Sequence, residues 1–571
     1  MTYILRAGAF SIRYQNGFLR QISYGDLEVV RMIYMALRDQ NWTTYEPIIE
    51  NEKVNHQHDS FTIHYDCYHE QAGKRIFHWH VTITGSSDGV ITFEIQGEAL
   101  ADVLKNRAGI CVLHPINSTA GQPCELIQTN GDQIKNSFPV FISCENPFKN
   151  LKAFRWRCQH DWFILHFEGD AFETEDQRNW SDTSYKTFCT PLDKPFPVQL
   201  LAGDTVHQKV IFHAERDLLP IVADNTKAIE IIALEQKSRL PSIGIAASTE
   251  TEALSEENIQ ALRDLKLNHY RVEVQPSQPS WKSKFIIDCN HAELLKLPLD
   301  IALHISDLTE LTSFYETYSK VKPEVQRIIL LSTDQASTAQ SLIDELKSFR
   351  KLLPPLQIGA GTDYNFRELN CNRFNADALD FISYSIDPQE HATDDLTIIE
   401  NIQAQADTVR SARQIYGESK AIHVSSLTLK RRFNPAATVS KDKILSNGQK
   451  ADPRLQTPFA AAFTLGSIKS LSTADAHAVT LYQTIGKQGV VSESGDKYPV
   501  YHVLKEILSA GRPIVVHTVS TQPIVCDALL LSDGQTFKLI LVNYSTLVQR
   551  VIFTKDHYTL EPLEIRVVDI G

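Results

Sequence analysis

The sequence predicts a multi-domain α/β plus β protein. A central (β/α)8 barrel of the TIM type is flanked by an N-terminal antiparallel β-sandwich and a small C-terminal β domain. Three observations carry that reading. Residues 61–99 hold three runs of period-two alternation separated by Gly-containing turns, the pattern of paired antiparallel strands. From 241 onward, eight short β-branched runs alternate with amphipathic helical patterns, the arithmetic of a barrel. After residue 510 the chain returns to strand-like texture. The boundaries fall at 1–220, 221–511 and 512–571.

In the first domain the N-terminus, MTYILRAGAFSIRY, places Arg6 and Arg13 among alternating apolar residues. It reads as a first strand and not as a signal peptide. Further turns are expected at Asn130-Gly131-Asp132 and Glu168-Gly169-Asp170. Gly85-Ser86-Ser87-Asp88-Gly89 matches the nucleophile-elbow pattern, but strand-like residues lie on both sides of it. That motif needs a helix after it, so a hairpin turn is expected. His78-Trp79-His80 would place two imidazoles on one face of a strand, half of a metal site. No cysteine pair or HExxH helix supports it.

The eight barrel runs begin with PSIGIAAS (241–248), LNHYRVEV (267–274), LDIALHIS (299–306) and VQRIILLS (325–332). They continue with LQIGAGTD (356–363), LDFISYSID (379–387), AIHVSSL (421–427) and AVTLYQT (478–484). The first is followed by no GxGxxG turn, which disfavours a doubly wound sheet. Helical patterns at 255–265, 307–320, 336–353 and 394–417 lie between the runs, and 496–510 follows the last. The remaining residues, 512–571, form too small a β unit to stand alone and should pack on a neighbour.

Alternation inside a barrel strand assigns side chains to the interior or to the helices. On that parity His269, Arg271 and Glu273 point inward while Tyr270, Val272 and Val274 face helices. The later strands bring His304, Asp363, Ser383, Ser385, Asp387, His423, Ser425, Thr480, Tyr482 and Thr484 to the interior or the C-terminal rim. Enzymes of this fold build their sites at that rim. The loops 361–374 and 385–395 add Glu368, Asn370, Glu390 and His391.

Such carboxylates, histidines and arginines suit general acid–base hydrolysis. Glu368 or Asp363 is expected as the general base, and His391 as a general acid or oxyanion partner. Glu273 is the second carboxylate and Arg271 orients substrate or stabilises negative charge. His304, Asn370, Asp387, Ser425 and Tyr482 are expected to line the pocket. The charged segment FEGDAFETEDQRNWSDTSYKTF (167–188) reads either as a solvated loop or as a cover that supplies Asp176 or Arg178 to a polar substrate.

Composition narrows the classes of function. Hydrophobic residues make up 43% and charged residues 22%, and 56 Lys plus Arg stand against 69 Asp plus Glu, a net charge of −13. This excludes a basic nucleic-acid footprint and simple docking on anionic lipid. No apolar run approaches the roughly 20 residues of a membrane span. Nine scattered cysteines, never spaced CxxC, make disulfides and structural zinc unexpected and suit a cytoplasmic protein. No metal or organic cofactor is expected.

Four motifs also resemble a known family. KNRAGICVLHP (105–115), EDQRNWSDTSYKTFCTPL (175–192) with PFPV shortly after, GTDYNFRELN (361–370) and YSIDPQEHATDD (384–395) are similar to the D-apionate lactonase family of bacterial apiose catabolism. The resemblance runs nearly the whole chain. It implies a β domain, a TIM-type barrel and a C-terminal β domain, and hydrolysis of D-apionolactone to D-apionate in the cytoplasm. It assigns no catalytic residue. The substrate expected is thus a small polyhydroxylated lactone. A glycoside hydrolase with two barrel carboxylates, a non-catalytic sugar-binding protein and a metal-dependent lactonase are the alternatives, and oligomeric state is not readable.

Overall fold

A computed structural model describes residues 2–221, 228–250, 253–351, 353–433 and 445–570, apart from the side chains of 347 and 348. The chain divides into two compact units. Among the described residues, the first holds 2–177 and 183–221 and the second holds 178–182 and those from 228 to 570.

The first unit is β-rich. Seventeen strands between Thr2 and Ala214 are joined by antiparallel pairing. The period-two runs of 61–99 are strands Phe61–Gln71, Lys74–Gly85 and Ile91–Ala99, paired in register through Tyr65↔Val81 and Val81↔Ile95. Their alternate residues, among them Ile63, Tyr65, Trp79, Val81, Phe93 and Ile95, are fully buried in one aromatic-rich core. The Gly85–Gly89 motif is the expected hairpin turn, in which Ser86 N–H donates to the Val90 carbonyl. His78 and His80 both lean on Asp66, at 3.0 and 3.2 Å, opposite the buried Trp79.

Residues 172–188 correct the expectation of a solvated loop. Strands Phe172–Asp176 and Ser184–Phe188 pair with each other, and every residue of both is buried. Asp176 accepts the Ser143 amide at 3.1 Å within the first unit. Seven cysteines are free and buried. The expectation of unpaired thiols is not met at Cys144 and Cys371, which are disulfide-bonded.

The second unit contains the barrel. All eight predicted runs are strands: β1 (Ser242–Ala246), β2 (His269–Val274), β3 (Leu299–Ile305), β4 (Val325–Ser332), β5 (Gln357–Gly361), β6 (Phe381–Ile386), β7 (Ala421–Leu427) and β8 (Ala478–Ile485). Each pairs in parallel with the next, and β1 with β8, which closes the sheet. Two of the expected helices start on side-chain caps. Ser255 accepts the Asn258 amide to begin helix Glu256–Asp264, and Asp307 accepts those of Thr309 and Glu310 to begin Leu308–Val321. Glycine is required on β5, where a Cβ at Gly359 would lie 2.4 Å from the Phe381 ring.

Strands after residue 513 form a seven-stranded sheet whose third member, Ile229–Arg239, precedes the barrel in sequence. The stretch 229–239, placed with the barrel by texture, therefore completes the C-terminal sheet. No helix among the described residues is long and apolar enough to cross a membrane.

Candidate functional site

The inward side chains of the barrel change character from floor to rim. At the floor the Arg327 guanidinium clamps Asp300, with Nε 2.7 and 2.9 Å from its two oxygens. His269, fully buried, bonds to Thr480 at 2.9 Å, and Phe381 stacks on His423 at 4.0 Å. Burial holds both imidazoles well below their ordinary range, so they are neutral. Ala302, Ile329, Leu331 and the same Phe381 form an apolar cluster. Ser425 bonds to Thr480 at 3.1 Å and its carbonyl accepts the Ser385 hydroxyl at 3.1 Å, so it supports the site from below.

At the rim, parity along β2 and β3 and the end of β5 delivers Arg271, Glu273, His304 and Asp363 to one place. His304 Nε2 lies 2.7 Å from Glu273 Oε2 and 3.7 Å from Asp363 Oδ2. Arg271, 1% exposed, donates to Asp363 at 2.7 Å and also to Glu273. Arg432, from the loop after β7, donates to both oxygens of Asp363 at 2.8 and 3.1 Å and to Glu273. Burial opposes ionisation of Glu273, but Arg271, Arg432 and the His304 bond outweigh it and hold its carboxyl well below the usual carboxylate range. His304 Nδ1 makes no hydrogen bond to the described residues.

Ligand atoms of Glu273, His304 and Asp363 lie within 4.8 Å of one another, close enough to chelate a cation. The fit is poor in charge, because two guanidiniums already sit on the same carboxylate oxygens.

A narrow cleft opens beside this cluster, lined by Asp363, Tyr364, Asn365, Ser385, Ile386, Asp387, Glu390, Thr428, Arg431, Arg432 and Phe433. Burial pushes the Asp387 carboxyl well up, and the neighbouring Glu390 and Asp182 push it further; Arg431 and the Gln389 amide oppose. Burial likewise raises Glu390, with Asp182 adding to it, against its bonds from Asn365 at 2.9 Å and Arg431 at 3.3 Å. The cleft is therefore lined by Asp363 and Arg432 of the Glu273–His304 cluster and, elsewhere, by two carboxyls that burial makes harder to ionise.

Of the predicted site residues, Arg271, Glu273, His304, Asp363 and Asp387 are assembled around the cleft or its rim cluster. Others lie elsewhere. Glu368 sits in the first turn of helix α1 (Phe366–Cys371), paired with Arg367 at 3.0 Å. Asn370 of the same helix bonds to Asn179 at 3.0 Å. His391 is held by Asp182 at 2.6 Å, with its ring edge-on to Trp180. Arg178 pairs with Asp407 at 3.1 Å. Tyr482 leaves the interior altogether: the β1–β8 register shifts around it, its φ is +44°, and its hydroxyl bonds to Thr464 at 2.8 Å. A bulge of this kind breaks the alternation on which its inward placement rested.

Arg431 and Arg432 were missed, and Glu390 was noted only as a loop residue. The signal available was the basic run Lys430-Arg431-Arg432 soon after β7, at the end of the barrel where loops carry function.

Comparison with known proteins is consistent over most of the length. Residues 2–217 match the family model described as D-apionate lactonase, N-terminal domain, and residues 243–512 match D-apionate lactonase, TIM barrel domain. The D-apionate lactonase of Brucella anthropi is 27% identical over 590 aligned positions, covering 98% of this chain and 96% of that one. Among solved structures, a GH30 endoxylanase from Clostridium papyrosolvens C71 aligns with a TM-score of 0.41 and 11% identity, over 60% of this chain and all of its own. A beta-arabinopyranosidase aligns at 0.32 and 8%, over 100% and 96%.

Proposed function

The chain belongs to the D-apionate lactonase family and is a lactone-hydrolysing enzyme, and from that premise we propose that it opens D-apionolactone to D-apionate at the C-terminal face of the barrel. The observation that supports the mechanism is the opposite displacement of neighbouring carboxyls: Glu273, in the cluster beside the cleft, is pushed down, and Asp387 and Glu390, in its lining, are pushed up. Pairs of titratable groups pushed in opposite directions mark acid and base roles.

Glu273 accepts the Nε2–H of His304 and so leaves Nδ1 with a lone pair, the tautomer a general base needs. His304 takes a proton from water as the water oxygen bonds to the lactone carbonyl carbon. The oxyanion that forms is stabilised by Arg432, whose guanidinium lines the cleft. The tetrahedral intermediate collapses by breaking the bond to the ring oxygen, and Glu390 protonates that oxygen as it leaves. The product carboxyl then ionises, and proton exchange with solvent restores neutral His304 and protonated Glu390. Arg271 and Asp363 hold the base and the arginine in place.

The test is a panel of aldonolactones that includes apionolactone, followed as acid release above spontaneous opening, with chromogenic glycosides in parallel. Turnover of apionolactone above other five-membered lactones is expected. Glycoside cleavage without lactone opening would favour the two-carboxylate glycosidase, and thermal stabilisation by sugars without any product would favour a binding protein.

A further inference from the structure

We propose that Asp182 is a positioning residue that holds the loop Asp387–His391 against the cleft; this rests on the role given above to that loop's carboxyls. Asp182 is 4% exposed and reaches the loop from two directions. One oxygen meets His391 Nδ1 at 2.6 Å, at the loop's end. The other accepts Asn401 Nδ2 at 3.0 Å, and the same amide donates to the Pro388 carbonyl at 3.0 Å, at its start. Asn401 stands at the break between helices Asp395–Glu400 and Ile402–Tyr416. The carboxylate is itself fixed, because its segment is tied to the barrel by Arg178–Asp407 and Asn179–Asn370.

Between these anchors the loop presents its chemistry. Glu390 turns to Asn365 and Arg431, and Gln389 is tied to Asp452 at 2.8 Å. Each other, Arg431 and Asp182 act on Asp387 and Glu390 most strongly, and Asp363 and Arg432 line the same cleft. Asp182 thus has two effects. It fixes the loop geometrically, and its negative charge favours retention of the proton on the two carboxyls.

The experiment compares the kcat–pH profiles of wild type, Asp182→Asn, Asn401→Ala and Glu390→Gln. The Asp182→Asn variant keeps an acceptor for Asn401 but no charge, so the alkaline limb should move down by about one pH unit with KM within about twofold. Asn401→Ala keeps the charge and loosens Pro388, so kcat should fall about tenfold with the limb in place. An unmoved limb in Asp182→Asn overturns the inference. If that variant does not fold, an unchanged kcat in Asn401→Ala overturns it, and the expected fall supports it. Loss of activity in Glu390→Gln together with an unmoved limb in Asp182→Asn would leave the acid assignment standing and remove Asp182. A moved limb with an active Glu390→Gln would keep Asp182 and transfer the acid role to Asp387.

Discussion

His304 Nε2 lies 2.7 Å from Glu273 Oε2, and that carboxylate is held ionised by two guanidiniums. The arrangement separates roles that a lone carboxylate would have to combine. A glutamate so strongly stabilised as an anion is a poor proton acceptor, yet it is well suited to orient the His304 ring. His304→Ala should therefore lower kcat by about 10²–10⁴, and Glu273→Gln by a comparable factor because it leaves the wrong tautomer free to form. Steady-state kinetics decide the matter: a His304→Ala enzyme within about threefold of wild type in kcat/KM, or roughly 0.7 kcal/mol, rules the base out.

Arg432 donates to Asp363 and Glu273 through two nitrogens and lines the cleft as well. A planar fork does what an ammonium cannot. Arg432→Ala should cost about 10²–10³ in kcat, the usual loss for an oxyanion donor, and Arg432→Lys should recover little of it. Full recovery by lysine in the same assay would reduce Arg432 to a source of positive charge.

Asp387 and Glu390 are both raised, chiefly by burial. A general acid works only while protonated, so activity should extend above the ordinary carboxylate range and fall as pH rises through the raised value of the pair. The kcat–pH profile should thus show an alkaline limb, and Glu390→Gln should remove the acid and flatten what activity remains. The two carboxyls titrate as a pair, so the limb reports their joint behaviour.

Much of this site is visible in strand parity alone. Arg271 and Glu273 alternate with Tyr270, Val272 and Val274, and only one register buries the apolar set against helices, so the inward placement of the charged set follows. The same reasoning fails at Tyr482, where the bulge with φ of +44° reverses it. It is also silent on loops. Glu368 and Asn370 follow Asp363 closely, but they lie on helix α1, where they pair with Arg367 and Asn179. Arg432 belongs to no periodic element and meets Glu273 across 159 positions. Strand Ile229–Arg239 pairs with residues 514–520, a partner that no local pattern names.

Glu273, His304 and Asp363 could chelate a divalent ion by distance, so metal dependence needs a direct test. Arg271 and Arg432 already neutralise both carboxylates, and a dication would have to displace two guanidiniums or sit between them. Activity after dialysis against a chelator should stay within about twofold of the untreated enzyme, a difference of roughly 0.4 kcal/mol. Loss on chelation, restored by added metal, would replace His304 as the base with a metal-bound water.

The barrel floor makes a separate claim about stability. Burial raises Asp300 from 3.8 to about 6, against the opposing pull of Arg327 and Arg271. Between those values the folded chain holds a proton that the unfolded chain has released. Stability contributed by this group is therefore greatest at the acid end and falls as pH rises toward 6, by up to about 3 kcal/mol. Asp300→Asn cannot titrate. Below about pH 6 the wild-type carboxyl is itself uncharged beside Arg327, so the amide adds an offset that does not vary with pH through this group. The stability gap, wild type minus variant, should therefore fall as pH rises from about 4.5 to about 7. Paired urea denaturation series at several pH values measure that gap. A gap that widens with pH would mean that the Arg327 clamp dominates and keeps Asp300 ionised down to the ordinary carboxylate range.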